Sequence, residues 1–270
     1  MRHVPIDDLL NTIFACQDGK AAKIRLAKAH KHLTEISAKK RKDYVEKNGP
    51  AKWSPLKDLF TAELGNKCWY TEAELVGASL TIDHFRPKCD YWFLTFKADN
   101  YRLACPFANS PKHNPEHGCS GGKGDHFPLL DPSKKATGIR SIVHERPIIL
   151  DPCNEDDCRL IAFLPDGRPV IHPDSANDPI AQKRVEESKI LLNLDHPDFN
   201  SKREQLHDEI ANYVSFFEAL PRGSAERKAI RDRLAQKIAS CAPFSLAARQ
   251  YLGAHRHLDW VADLLESNPA

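Results

Sequence analysis

The chain has 270 residues, enough to bury a sizeable core in one large or two small domains. Its 41% hydrophobic and 28% charged residues fit a soluble globular protein, and a net charge of +2 excludes nucleic-acid binding argued from bulk charge, so any basic surface is local. No signal-like apolar run opens the sequence and no stretch is long enough to span a bilayer. A cytoplasmic protein without membrane association is therefore expected, with its eight cysteines as thiols or metal ligands rather than disulfides.

Residues 1–64 read as a helical N-terminal region, with Ile24, Ala27, His30 or Lys31 and Ile36 at roughly helical spacing. The stretch is basic, carrying Lys20, Lys23, Arg25, Lys28 and Lys31, then Lys39-Lys40-Arg41-Lys42. Two readings stand: a solvated helix face, or a phosphate-contacting arm whose binding would weaken steeply with salt. Asn48-Gly49-Pro50 marks a break, and Pro55 permits a new helix through Leu56, Leu59 and Phe60.

Residues 65–180 are rich in Gly, Pro, Asp, His and aromatics, with short apolar runs such as Ser79-Leu80-Thr81-Ile82 and Pro147-Ile148-Ile149-Leu150. Few regular helices are expected there, and such loop-rich regions are where chemistry usually sits. Ile161-Ala162-Phe163-Leu164, Pro165-Asp166-Gly167-Arg168 and Pro169-Val170-Ile171 predict a hairpin with an Asp-Gly turn. Residues 181–270 form a helical C-terminal region, with helices over 181–194, 201–219, 224–240 and 244–266. Phe216, Phe217, Trp260 and Leu264 are its expected core residues.

The chemistry-bearing residues come in an informative order. Asp83-His84 follows a β-like run, Asn100 precedes Tyr101-Arg102-Leu103, and Asn109 lies just after Cys105. Phosphodiester hydrolysis needs a base for water and a hard cation to stabilise developing charge on the phosphoryl and leaving oxygens. Adjacent side chains on a strand point to opposite faces unless the strand bends. A turn at this point lets the carboxylate reach a metal while the imidazole reaches water. Asn100 is suited to fixing the loop or the imidazole, since an amide supplies donor and acceptor. Asn109, on a following helix, would complete the site with a neutral oxygen suited to Mg²⁺ or Mn²⁺.

The sequence resembles the HNH (ββα-metal) endonucleases through Lys67-Cys68-Trp69-Tyr70-Thr71-Glu72, Ile82-Asp83-His84-Phe85-Arg86-Pro87-Lys88, the run from Asn100 to Asn109, and Lys123-Gly124-Asp125-His126-Phe127-Pro128-Leu129. A closer resemblance is to the PtuB-type HNH subunits of Septu and retron-associated antiviral systems. It is carried by Glu145-Arg146-Pro147-Ile148-Ile149-Leu150-Asp151-Pro152 followed by Asp156-Asp157. The resemblance covers 65–170 well and the C-terminal helices loosely. It implies an α+β fold, a ββα-metal HNH core flanked by N-terminal helices and a helical C-terminal region. It also implies that His84 is the general base, Asp83 and Asn109 are metal ligands, and Asn100 is the middle residue of the signature. The implied partners are a nucleic-acid substrate (DNA or RNA), a PtuA-type ATPase and, in retron systems, a reverse transcriptase with its RNA–DNA hybrid.

The sequence departs from that family in two places. Many members hold a structural zinc with two CxxC pairs, but Cys68-Trp69-Tyr70-Thr71 and Cys105-Pro106-Phe107-Ala108 each lack the second cysteine. Two thiolates do not close a zinc site, so either packing replaces the metal or Cys89, Cys119 or a nearby His joins it. The other departure is the insert 110–122 between Asn109 and Lys123. His113 lies four residues after Asn109 and would share its face on a continuous helix, as an added ligand. Lys123 and His126 read as phosphate contacts or as residues of a Gly-rich loop. Cys153 and Cys158, beside Asp156-Asp157, are a further metal candidate. The alternative function is a catalytically silent HNH-fold binding or scaffold subunit. An unrelated metallohydrolase on His113 and His117 is disfavoured by the intervening Pro115.

Overall fold

Prolines and glycines punctuate the first 64 residues of the computed structural model, which describes residues 1–75, 77 and 79–269. Five helices follow one another there: α1 (Ile6–Ile13), α2 (Gln17–Glu35), α3 (Ala38–Asn48), α4 (Pro50–Trp53) and α5 (Leu56–Leu64). Pro50 opens α4 at a position whose N–H has no intrahelical acceptor, and Pro55 immediately precedes α5, as its place in the sequence suggests. The buried stripe of α2 differs from the one expected. It is Ala22, Leu26, Ala29 and Leu33, a 4-3-4 spacing, whereas Ile24 is 57% exposed. Ile24 and Ala27 turn outward because two residues are about 200° of helix, so they face away from the Ala22–Leu26 stripe.

The middle of the chain is built from hairpins and short turns. Strand β1 (Thr81–His84) pairs antiparallel with β2 (Tyr101–Ala104), placing Asp83 opposite Arg102 and His84 opposite Tyr101. A one-turn helix, α6 (Pro106–Asn109), follows β2. The insert then folds as a hairpin of β3 (Lys112–Asn114) and β4 (Cys119–Gly121). Helix α7 (Glu155–Arg159) precedes the hairpin of β5 (Ile161–Phe163) and β6 (Pro169–Ile171). That hairpin matches the sequence expectation, and Gly167 takes φ +80° in its turn. Residues 147–150 form no strand, only an isolated bridge from Pro147 to Leu129.

The C-terminal helices are α8 (Pro179–Leu191), α9 (Pro197–Ala219), α10 (Ala225–Ile238), α11 (Ser245–Gly253) and α12 (Asp259–Ser267). The sequence pattern predicts a single helix over 244–266, but the chain breaks between Gly253 and Asp259. Phe216 is 64% exposed rather than core, because the inward face of α9 runs through Phe199, Leu206, Ile210, Val214 and Phe217. Phe217 and Leu264 are buried, and the Trp260 ring stacks on Phe217 at 3.9 Å.

The architecture is therefore a mixture of helices and small antiparallel sheets, compatible with α+β. One main core joins all parts, from Leu26 and Leu33 through Trp69 and Leu103 to Phe199 and Leu252. Among the described residues no helix is long and apolar enough to cross a membrane.

Among the polar ties that bind the middle of the chain to the C-terminal helices are those centred on Asp195 and Glu72. Asp195, between α8 and α9, accepts from Asn114 Nδ2 at 3.0 Å and sits 2.7 Å from His117 Nε2, anchoring the insert hairpin. Buried Glu72 accepts from Lys67 Nζ (3.1 Å), Ser245 Oγ (2.8 Å) and the Leu246 amide (3.2 Å), holding the start of α11. Glu72 stands at φ +57° and Phe244 at φ +52°, and the Phe244 amide donates to the Glu72 carbonyl. Left-handed backbone at two non-glycine residues is tolerated where such bonds fix it.

Candidate active site

The two residues at the end of β1 separate because the chain turns at once after it. Asp83 joins a buried polar group, with Tyr70 Oη donating to its Oδ2 at 2.7 Å and Lys123 Nζ to its Oδ1 at 3.0 Å. His84 goes elsewhere. Its Nε2 lies 2.9 Å from the Thr95 carbonyl, and its ring is packed edge-on by Trp53 (4.7 Å) and Tyr101 (4.9 Å). A carbonyl can only accept, so Nε2 carries the proton and Nδ1 of the neutral ring keeps its lone pair. Burial pushes the imidazole down to about 4 against the opposing pull of the Thr95 carbonyl and Asp83, so the ring is neutral at pH 7. The result is an imidazole of fixed tautomer and orientation whose unprotonated nitrogen is available at pH 7, though as a weaker base than a free imidazole because burial disfavours its charged form.

Asn100 fixes the loop and not the imidazole. Its Oδ1 accepts from the Arg86 amide and its Nδ2 donates to the Arg86 carbonyl, both at 2.9 Å. This amide-to-backbone pair locks the turn leaving β1 to the residue entering β2, while the Phe85 amide donates to the Asn100 carbonyl at 2.9 Å. Arg86 is held at its other end by Glu145, whose Oε2 accepts from Nε at 2.7 Å and whose Oε1 accepts from Tyr91 Oη at 2.7 Å. Arg102, opposite Asp83 in the register, makes a two-pronged bond to Asp151 at 2.6 and 2.7 Å.

Asn109 ends α6, and its Oδ1 is buried with no hydrogen-bond partner. Lys123 links this end of α6 to β1. Its backbone amide donates to Ala108 O and that of Gly124 to Asn109 O, while its side chain reaches Asp83 Oδ1, the His84 carbonyl (2.9 Å) and the Gly124 carbonyl (3.3 Å). The sequence alone reads Lys123 as a phosphate contact or as a residue of a Gly-rich loop. It lies in that loop, between Gly122 and Gly124, but its side chain is fully buried and paired with Asp83 rather than free to meet phosphate. His126 is exposed. His113 does not share a face with Asn109, because α6 ends at Asn109 and His113 lies exposed on β3.

Asp83 and Asn109 carry oxygen donors of the kind a hard divalent cation takes. Asp83 offers carboxylate oxygens with lone pairs beyond those used by Tyr70 and Lys123, and the orphaned Asn109 Oδ1 is the kind of buried acceptor a cation satisfies. No three of His, Cys, Asp and Glu gather as a ligand set among the described residues. A Mg²⁺ or Mn²⁺ ion there would draw its remaining ligands from water and phosphate. The zinc donor set is different. Cys68 and Cys105 are both buried, with Thr71 Oγ1 3.8 Å from Cys105 Sγ and Ala108 in the place of a fourth donor. The neighbouring Cys68, with burial, raises the Cys105 thiol above its usual range, and two sulfur donors beside Thr71 and Ala108 do not make a closed tetrahedral site. Cys89 and Cys119 are exposed. Cys158 lies in α7, and the neighbouring Asp157 is engaged by the Arg184 guanidinium at 2.7 Å.

Tyr70, Thr95 and Trp53 touch the site residues directly; Tyr70 lies in a segment that carries the resemblance, but no local pattern assigns any of the three to the site. Their partners lie 13, 11 and 31 positions away. No protein-family model matches this chain, and comparison with curated proteins gives no match.

Proposed function

We propose that this protein is a metal-dependent HNH-type endonuclease hydrolysing phosphodiester bonds of DNA or RNA. The reading rests above all on His84: a buried, neutral imidazole, oriented through Nε2 by the Thr95 carbonyl, with Nδ1 left to take a proton. It sits at the end of the first strand of an antiparallel pair followed by a short helix, the order the HNH resemblance implies. In this mechanism His84 Nδ1 accepts the proton of the attacking water. Asn100 keeps the turn after His84 in one geometry through Arg86, so the base does not wander. Asp83 and Asn109 would hold the divalent ion, which supplies stabilisation of charge on the phosphoryl and leaving oxygens. Tyr70 and Lys123 orient Asp83, and Trp53 and Tyr101 exclude bulk water from the flanks of His84.

The resemblance to PtuB-type subunits extends the proposal to an effector of a cytoplasmic antiviral complex. Its partners there would be a PtuA-type ATPase and, in a retron setting, a reverse transcriptase with its RNA–DNA hybrid. One observation favours the alternative of a catalytically silent binding or scaffold subunit: the Lys123 ammonium already neutralises Asp83. The deciding experiment incubates the protein, alone and with co-purified partners, with DNA and RNA in Mg²⁺, Mn²⁺ or EDTA. Cleavage that needs the metal is expected. Intact substrates under every metal condition, with the partners present, would leave the silent subunit as the better reading.

A further inference from the structure

Charge is distributed very unevenly along this chain. Residues 17–57 hold twelve Lys and Arg against four Asp and Glu, a local charge of +8 in a protein whose total is +2. The structure puts this charge on α2 to α5, with Lys20, Lys23 and Lys28 of α2 and Lys39, Lys40 and Lys42 of α3 all exposed. A merely solvated face normally interleaves both signs. Here the exposed helical pairs are Lys31–Glu35 and Lys42–Glu46, each at 3.9 Å, and Lys20, Lys23, Lys28, Lys39 and Lys40 have no carboxylate within 4 Å among the described residues.

These helices are packed onto the loop that holds His84. Trp53, the last residue of α4, touches the His84 ring, and Arg25 of α2 donates to the Lys52 carbonyl. Arg41 of α3 lies 3.6 Å over the ring of Trp92, in the connection between β1 and β2. A groove of about 590 Å³ runs between α1, α2 and residues 96–99, lined by Lys23, Lys31 and Lys97 with the rings of Phe14, His30 and Phe96. Asp7 and Asp99 also line it, fewer than its three lysines. Phe96 follows Thr95, whose carbonyl fixes His84.

We propose that the α2–α3 face and its continuation to Lys97 bind the sugar-phosphate backbone of a nucleic acid, carrying the strand to the end of β1. This rests on the nuclease reading for its purpose but not for its physics. Cations that mostly lack a carboxylate partner, beside a groove lined with aromatic rings and leading to a candidate hydrolytic centre, favour nucleic acid over an acidic protein partner.

The test is fluorescence anisotropy of a labelled DNA duplex and a labelled RNA strand in EDTA, where no metal-dependent cutting occurs. The triple variant Lys39→Glu, Lys40→Glu, Lys42→Glu is expected to bind at least about tenfold more weakly. Its salt slope should be shallower by about 2–3, because three phosphates are no longer neutralised by lysines. A control triple in the C-terminal helical region, Lys202→Glu, Arg222→Glu, Lys228→Glu, keeps the wild-type affinity and slope. Circular dichroism confirms that both variants fold. Three results overturn the proposal: an α3 variant binding like wild type, a control losing as much, or a wild type that binds neither probe but captures an acidic polypeptide. Binding without cleavage in Mg²⁺ or Mn²⁺, with the co-purified partners present, would uphold this surface and sink the nuclease reading. Cleavage undisturbed by the α3 charge reversals would do the reverse.

Discussion

Lys123 Nζ lies 3.0 Å from Asp83 Oδ1, an ion pair formed across 40 residues with the lysine side chain fully buried and the aspartate only 4% exposed. The His84 carbonyl accepts from the same ammonium at 2.9 Å, so one side chain ties the end of α6 to both site residues of β1. Each charge is tolerated in the interior because the other is there. Lys123→Met and Asp83→Asn should each destabilise the protein by about 3–5 kcal/mol, and the double variant should cost clearly less than their sum. Urea unfolding at pH 7 measures all three. Strict additivity would mean that the pair is not coupled.

Asn109 and Asn100 are both amides near the site, but their surroundings assign them opposite roles. The Asn109 oxygen has no partner, whereas Asn100 is fully engaged with Arg86. Mn²⁺ binding to the native state should raise the thermal midpoint, by about 2.7 kcal/mol of stabilisation at a hundred times the dissociation constant. Asn109→Ala should remove that response while leaving the metal-free midpoint little changed. A wild-type response kept by Asn109→Ala would take this residue out of the ligand set.

For Asn100→Ala the expectation is the reverse. Two hydrogen bonds to a turn disappear and the Arg86 amide is stranded, at a cost of roughly 1–3 kcal/mol. The Mn²⁺-induced shift should survive at reduced temperature. A variant as stable as wild type by urea unfolding would show that the turn holds without the amide.

Glu72 should govern part of the acid sensitivity. Burial opposes its ionisation, but the Lys67 ammonium, the Met1 α-amino group and the Ser245 hydroxyl outweigh burial and hold the carboxyl at about 2. The folded value lies below the unfolded one, so the ionised group stabilises the fold above the ordinary carboxylate range, and that stability fades as pH falls from about 4.5 towards 2. The contribution is roughly 3 kcal/mol at pH 7. Glu72→Gln should be less stable at neutral pH and lose less between pH 5 and 3, as read from urea midpoints across that range. Parallel pH curves for the two proteins would refute the assignment.

Features determined by neighbouring residues are legible in the sequence. Pro50, Pro55 and the Asp166-Gly167 turn act within a few residues, and each lies where the chain pattern suggests. Asp83-His84 stands out because a short β-like run leads into it, and Asn100 because its order after His84 is informative. The role of Asn100 stays open between loop and imidazole in the sequence, since an amide serves either until Arg86 and Thr95 are placed. Ile24 and Phe216 mislead because each is an apolar residue one or two positions from its helix's buried stripe but turned to the outward face, which spacing alone does not separate. Lys123, Tyr70 and Glu72 acquire their meaning from partners brought by tertiary folding, and lysine or glutamate in a polar loop sequence reads as solvated.

The account turns on His84 as the proton acceptor, and its most direct test is the rate of nucleic-acid cleavage in Mg²⁺ or Mn²⁺ by wild type and by His84→Ala, with folding checked by circular dichroism. Removing a general base should slow cleavage by about 10²–10⁴-fold while nucleic-acid binding in EDTA is kept. Equal cleavage by the two proteins would contradict the assignment of His84 and, with it, the proposed active site.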